Sequence, residues 1–261
     1  MEPPHPALAP LAEMLDLGPL PEVTEHTDLF TFQLYPYASV YLSPGGLLGG
    51  EARDRVAGFF RALGMPAAEV PKEPDYLPVL LGAAASLPEP AAAALAWEHL
   101  LPWLPAYLDS IDRLAPPFYR SWGRLLAEVL REAIPEPIPD PMPERLPLAL
   151  REAPPPLAES VETEGQDAFL ASLLAPVESG LILTRDDLRR STRDLGLGGR
   201  IGERRFVLEA LFRQDPAAVR GWLAEEAKRQ AEGHRRWLKN TGAVAQFWIE
   251  RAEGTGRLLT G

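Results

Sequence analysis

Apolar residues along this chain recur three and four positions apart far more often than they alternate, and that spacing predicts helices nearly throughout. Between Glu51 and Leu63, Val56, Phe59, Phe60 and Leu63 fall on one helical face. A first helix is expected over 28–42, with Leu29, Phe32, Tyr37 and Tyr41 inward and Pro36 kinking it or delaying its start. Further helices are expected over 76–86 and 90–109. Another starts at Pro116-Pro117, with Phe118, Trp122, Leu125, Leu126, Val129 and Leu130 as its apolar face. Later segments at 166–174, 184–195, 203–213, 215–239 and 244–252 complete an all-α chain of roughly nine or ten helices. Thr184 with Asp187 three residues on has the form of a capping box.

The interruptions mark the organisation. Residues 43–50, Ser-Pro-Gly-Gly-Leu-Leu-Gly-Gly, read as a turn. Residues 134–156 hold nine prolines and predict an extended, polyproline-like connector that is neither helix nor central strand. The expected division is an N-terminal arm over 1–27, a helical domain over 28–134, a proline-rich linker over 135–157 and a smaller helical region over 158–261. Such a linker would also permit a domain-swapped homodimer.

The densest segment is 97–109, Trp-Glu-His-Leu-Leu-Pro-Trp-Leu-Pro-Ala-Tyr-Leu-Asp. Leu100, Leu101, Leu104 and Leu108 keep helical spacing, yet Pro102 and Pro105 interrupt it. The bend, the aromatics and His99 predict a shaped surface that receives something. Trp97 and Trp103 lie six positions apart, on divergent faces, so one of them belongs to the core; Trp103 is assigned to the groove.

Composition narrows the function classes. Of 37 acidic and 26 basic side chains, residues 1–150 carry 20 and 9, leaving 17 of each for 151–261, so the whole net charge of −11 lies in the first part. An acidic surface disfavours nucleic acid and anionic membrane and attracts basic peptides. No cysteine is present, which removes disulfides and thiolate chemistry. No apolar run is long enough to span a bilayer and no secretory signal opens the chain, so a cytoplasmic protein is expected. Phosphate-loop, nucleophile-elbow and dinucleotide fingerprints are missing. His5, His26, His99 and His234 have no metal-ligand spacing. The expectation is a protein that binds without catalysis, cofactor or metal.

Two short clusters carry a resemblance: Glu73-Pro74-Asp75-Tyr76, and His99, Pro102 and Trp103 about 25 residues later, preceded by Tyr37-Ala38-Ser39-Val40-Tyr41-Leu42-Ser43. Their order and spacing resemble the TorD/NarJ family of redox-enzyme maturation chaperones, which has Glu-Pro-Asp-His before one helix and His-x-x-Pro-Trp in the next. The resemblance covers about residues 28–134. Tyr76 stands where that family has histidine, so a titratable ring is lost. The resemblance implies an all-helical cytoplasmic bundle of the TorD type. Its partner would be the catalytic subunit of a molybdopterin-containing oxidoreductase, held by its twin-arginine leader or in its apo form during cofactor loading.

A receptor for such a leader needs carboxylates beside an apolar groove. Glu73 and Asp75 are the candidates for the arginines; Tyr76, His99, Trp103 and Tyr107 are the candidates for the rest of a peptide-binding site. Asp75 has a second role open to it, as N-cap of the helix that follows. On an apolar face His99 also fits a structural role. A rival reading uses 184–213, where Arg189, Arg190, Arg193, Arg200, Arg204 and Arg205 give a basic helix–turn–helix rhythm suited to DNA or a regulatory partner. Asp186, Asp187, Asp194 and Glu203 interleave with these arginines and favour a solvated face.

Overall fold

The computed structural model describes residues 3–133, 146–157 and 166–261, and within them the regular elements are helices. They run α1 Ala9–Met14, α2 Val23–Thr27, α3 Ala38–Leu42, α4 Gly50–Ala62, α5 Leu77–Ser86, α6 Glu89–Leu95, α7 Leu104–Leu114 and α8 Pro117–Ala133. After these come α9 Leu148–Arg151, α10 Gln166–Leu174, α11 Pro176–Ser179, α12 Arg185–Asp194, α13 Arg204–Gln214, α14 Pro216–Arg235, α15 Leu238–Thr241 and α16 Ala243–Thr260. The all-α expectation is met, and the Thr184–Asp187 capping box is formed in both directions. No described helix is long and apolar enough to cross a membrane.

Prolines cut the two longest expected helices of the first part. The expected helix over 28–42 is instead α2, a π-helical stretch Asp28–Gln33, a break at Pro36 and then α3. The helix expected over 90–109 is α6, a π-helical stretch Ala96–Leu100, a turn and then α7. Each π stretch closes on an i to i−5 bond, Leu34 N–H to Leu29 O at 2.7 Å and Leu101 N–H to Ala96 O at 2.8 Å. The widened turn ends the helix just before a residue that has no N–H and crowds the preceding carbonyls. Phe32, expected inward, is exposed because the π stretch rotates it out of register, and its ring receives Arg185 instead.

Burial also revises the densest segment. Residues 101–108 are buried without interruption. The first turn of α7 is therefore surrounded, while Asp109, Asp112 and Arg113 farther along it stay half-buried, and the turn before α7 is core and not a receiving surface. Gly123 of α8 lets that helix approach, since a Cβ there would stand 2.6 Å from Ile111 Cγ2.

Residues 146–157 differ from an extended connector. Leu148–Arg151 form a short helix in which Ala149 and Leu150 are buried, and Leu148 N–H donates to Glu98 at 2.8 Å. Proline before the helix, at 147, permits this; proline within it would not. The remainder of the proline run, 134–145, lies outside the described residues.

Helices after residue 166 close over the first part. Ile182, Trp237, Val244, Ala245 and Trp248 join the same apolar cluster as α3, α7 and α8. Polar anchors fix the register: Trp248 Nε1–H donates to Pro102 O at 2.8 Å, and Trp237 Nε1–H to Asp109 Oδ1 at 3.3 Å. Asp187 accepts from Arg113, and Glu178 from Gly45 N–H at 3.1 Å. The last two helices depart from expectation in length: α14 stops at Arg235, and α16 runs on to Thr260.

Replacing Trp248 by Phe keeps most of the apolar volume but strands the buried carbonyl of Pro102. The expected loss is about 1–3 kcal/mol of unfolding free energy in urea titrations. A loss within error of zero would show that this bond does not anchor α16.

Candidate functional site

The Glu-Pro-Asp-Tyr motif is built into the start of α3. Tyr37 and Tyr76 form an isolated antiparallel bridge, with Ala38 N–H donating to Asp75 O at 3.0 Å and Leu77 N–H to Pro36 O at 2.8 Å. Their rings stack at 5.0 Å, and Tyr37 OH donates to Glu73 Oε2 at 3.0 Å. Asp75 is fully buried, and its Oδ2 accepts from Ser39 N–H at 3.0 Å. Asp75 therefore does cap a helix, but α3 and not the α5 that follows it in sequence. A carboxylate at an N-terminal amide satisfies an orphan donor and opposes the helix dipole. Tyr76 occupies the N-cap position of α5, without a side-chain bond.

The second motif supports the first from beneath. Trp103 stacks on Tyr41 at 5.2 Å, donates its Nε1–H to His99 O at 2.9 Å, and is fully buried. Its assignment to a groove wall is corrected: its area is spent on Tyr41 and Tyr107, while Trp97 is the half-buried partner. His99 is half-buried with its ring edge-on to Phe59 at 5.2 Å. Burial lowers its pKa to about 4, Glu98 opposing and Arg55 assisting.

Beside this frame lies an apolar groove of about 420 Å³, walled by α5, α7 and α8 and by the N-terminal arm. That volume is within the usual range for ligand sites. Tyr76 and Tyr107 line it; of the other candidates, Glu73 reaches its edge through Tyr37, which stacks on Tyr76, while Asp75, His99 and Trp103 do not line it. No carboxylate, lysine or arginine is among the lining residues.

Sequence reasoning missed Phe30, Leu81, Tyr119 and Trp122, and the arm residues Leu8, Leu11 and Leu15. The signal for the arm was present: those three leucines keep helical spacing in a segment otherwise read as loose. They remain partly exposed, as an apolar wall facing an open groove does. A second cavity of about 300 Å³ has Asp109, Arg113, Arg229, His234 and Arg236 in its lining, and its arginines are already engaged with Asp109, Asp187 and Glu226.

Part of the basic cluster of 184–213 is paired within the chain, while Arg193 and Arg200 are exposed. Arg189 pairs with Asp186, Arg190 bridges Asp187 and Glu226, and Arg205 pairs with Asp167. Arg204 is half-buried and donates to Leu183 O at 2.8 Å.

Asp75→Ala removes the cap of α3 and is expected to cost about 1–2 kcal/mol in urea unfolding, whereas exposed Glu73→Ala stays within about 0.5 kcal/mol of wild type. Equal effects would refute the cap. Burial likewise lowers His234 to about 4. The unfolded imidazole protonates near the ordinary 6.5, so the stability due to holding these rings neutral is complete above that pH. It is lost as pH falls from about 6.5 towards about 4. Urea midpoints should drop over that window in wild type and drop less in His99→Gln; parallel curves would mean that His99 does not contribute.

No curated protein and no solved structure matches the chain. Residues 110–261 lie outside the stretch matched by the family comparison. Residues 5–109, which contain the arm, the bridged tyrosines, Glu-Pro-Asp-Tyr and the His99–Trp103 turn, match the family model described as nitrate reductase delta subunit, the NarJ/TorD-type chaperone family.

Proposed function

We propose that this protein is an assembly chaperone that binds an apolar segment of a nitrate reductase-type molybdoenzyme, its twin-arginine leader or an equivalent stretch of the apo catalytic subunit, in the groove between the arm, α5 and α8. The observation that carries this reading is the groove itself: an open, apolar concavity of about 420 Å³ beside the family motif, with half-buried Tyr76 and Trp122 on its wall and buried Tyr107 behind it. Aromatic residues bury large area with few rotors and act as anchors for peptides. An amphipathic or apolar helix laid in such a groove gains affinity from that area.

On this reading the basic pair of a leader lies outside the groove, since no lining residue is charged. Glu73 is the nearest exposed carboxylate of the motif, and the acidic excess of residues 1–150 attracts a basic segment at longer range. Asp75 is withdrawn from that task by its burial under α3, so the arginine contact rests on Glu73 alone. The function on this reading is shielding and delivery without chemistry.

Fluorescence anisotropy with a labelled twin-arginine peptide tests this. Leu81→Asp puts a charge in the groove wall and should weaken binding by at least about tenfold, at a temperature where far-UV circular dichroism shows the variant folded. Glu73→Ala should weaken it by about two- to fivefold at low salt and make no difference at high salt. Peptide binding indifferent to Leu81→Asp would place the site elsewhere.

A further inference from the structure

The wall of the groove that the arm supplies is attached to the rest of the chain by apolar contact alone. Among the described residues no hydrogen bond or ion pair joins residues 3–21 to the remainder, and the bonds of the arm are its own. At its start His5 Nδ1 accepts from Ala7 N–H at 3.1 Å. At its end Asp16 N–H donates to Glu13 O at 3.1 Å and Leu17 N–H to Ala12 O at 2.9 Å. Those two bonds, with Asp16 left-handed at φ +51°, form a Schellman ending that satisfies the last carbonyls of α1 within the arm. Ala12 and Leu17 belong to the main apolar cluster, and Leu20 packs against it. Gly18 follows at φ +83°, where a Cβ would meet nothing within 4 Å, so glycine serves the backbone there and not the packing.

The apolar stripe of the arm is only half used. Leu8 and Leu11 each keep 45% of their surface exposed and Leu15 keeps 42%. All three line the groove, with Leu81 of α5 and Trp122 of α8 across about 420 Å³ of open space. A six-residue helix has little stability of its own, so α1 depends on what it packs against. An apolar segment laid in the groove would touch both walls and bury the three leucines. Because the arm shares no polar bond with the body, it can shift onto that segment without stranding a donor or an acceptor.

We propose that residues 3–17 are a strap that pivots at Gly18 and closes on the apolar segment of the client, so that the arm governs how long the client stays bound. The proposal rests on the groove being the client site. The arm then acts mainly on release: the body wall receives the segment, and the leucines add their contact once it is in place.

Hydrogen exchange in the full chain tests the movement. Without peptide, the amides of Leu15, Asp16 and Leu17 should be at least about tenfold less protected than those in the middle of α8. A saturating peptide with an Arg-Arg pair before an apolar run should raise their protection by at least about tenfold. Stopped-flow release of the same peptide tests the consequence. The triple variant Leu8→Ser, Leu11→Ser, Leu15→Ser, at a temperature where far-UV circular dichroism shows it folded, should release the peptide about tenfold faster, with association within about twofold of wild type. The strap is overturned if the arm amides are as protected as those of α8 before peptide is added, if they gain no protection with it, or if the triple variant releases at the wild-type rate. Binding that Leu81→Asp weakens but the arm variant does not change overturns the strap alone. Wild type that binds no peptide, or binds it indifferently to Leu81→Asp, overturns the groove reading and the strap with it.

Discussion

A proline has no N–H to give to a helix and crowds the carbonyl four residues before it. Pro102 imposes that constraint at the centre of this bundle, and much else follows from it. The chain before it widens into a π-helical turn, and Trp103 leaves helical geometry. Its indole then lies flat on Tyr41. The carbonyl of Pro102, freed from any helix, receives the indole N–H of Trp248 from the last helix of the chain. One break thus sets the ring stack under α3 and the docking point of the C-terminal helices.

Above that floor, Asp75 organises the surface. Its carboxylate caps α3 from a distance in sequence, and its carbonyl joins the short bridge that pairs Tyr37 with Tyr76. The two sequence clusters are therefore one construction: the first ties α3 to the start of α5, and the second packs beneath α3 from α7. The groove arises beside them, where the leucines of the arm face Tyr76, Phe118 and Trp122 across open space. The residues that make the motif recognisable mostly shape this surface, and only Tyr76 and Tyr107 belong to it.

The C-terminal half shows the same economy with charge. Its arginines read as a basic cluster along the chain, but helix packing delivers Asp187 and Glu226 into their midst, both without exposed side-chain surface. Arg113 of α7 joins them, so the network ties α7 to α12 and α14. Charges buried in this way are held by mutual pairing and are not offered outward.

Helical periodicity, the capping box at Thr184 and the terminating prolines are local properties, and the sequence alone determined them: the all-α class, most helix positions and the site of the Glu-Pro-Asp-Tyr motif. The spacing of Leu8, Leu11 and Leu15 in the arm is a local property as well, but the groove they face is not. What depends on residues far apart in the chain was decided only by the tertiary structure. Asp75 was legible as a cap, but which helix it caps depends on where α3 comes to rest. Trp97 and Trp103 were distinguishable as divergent, but only packing on Tyr41 decides that Trp103 is the buried one. His26 and Tyr119, 93 residues apart, form a pair that no local spacing announces. The groove is a property of arm, α5, α7 and α8 together, because a concavity exists only between elements, and a sequence pattern describes one element at a time.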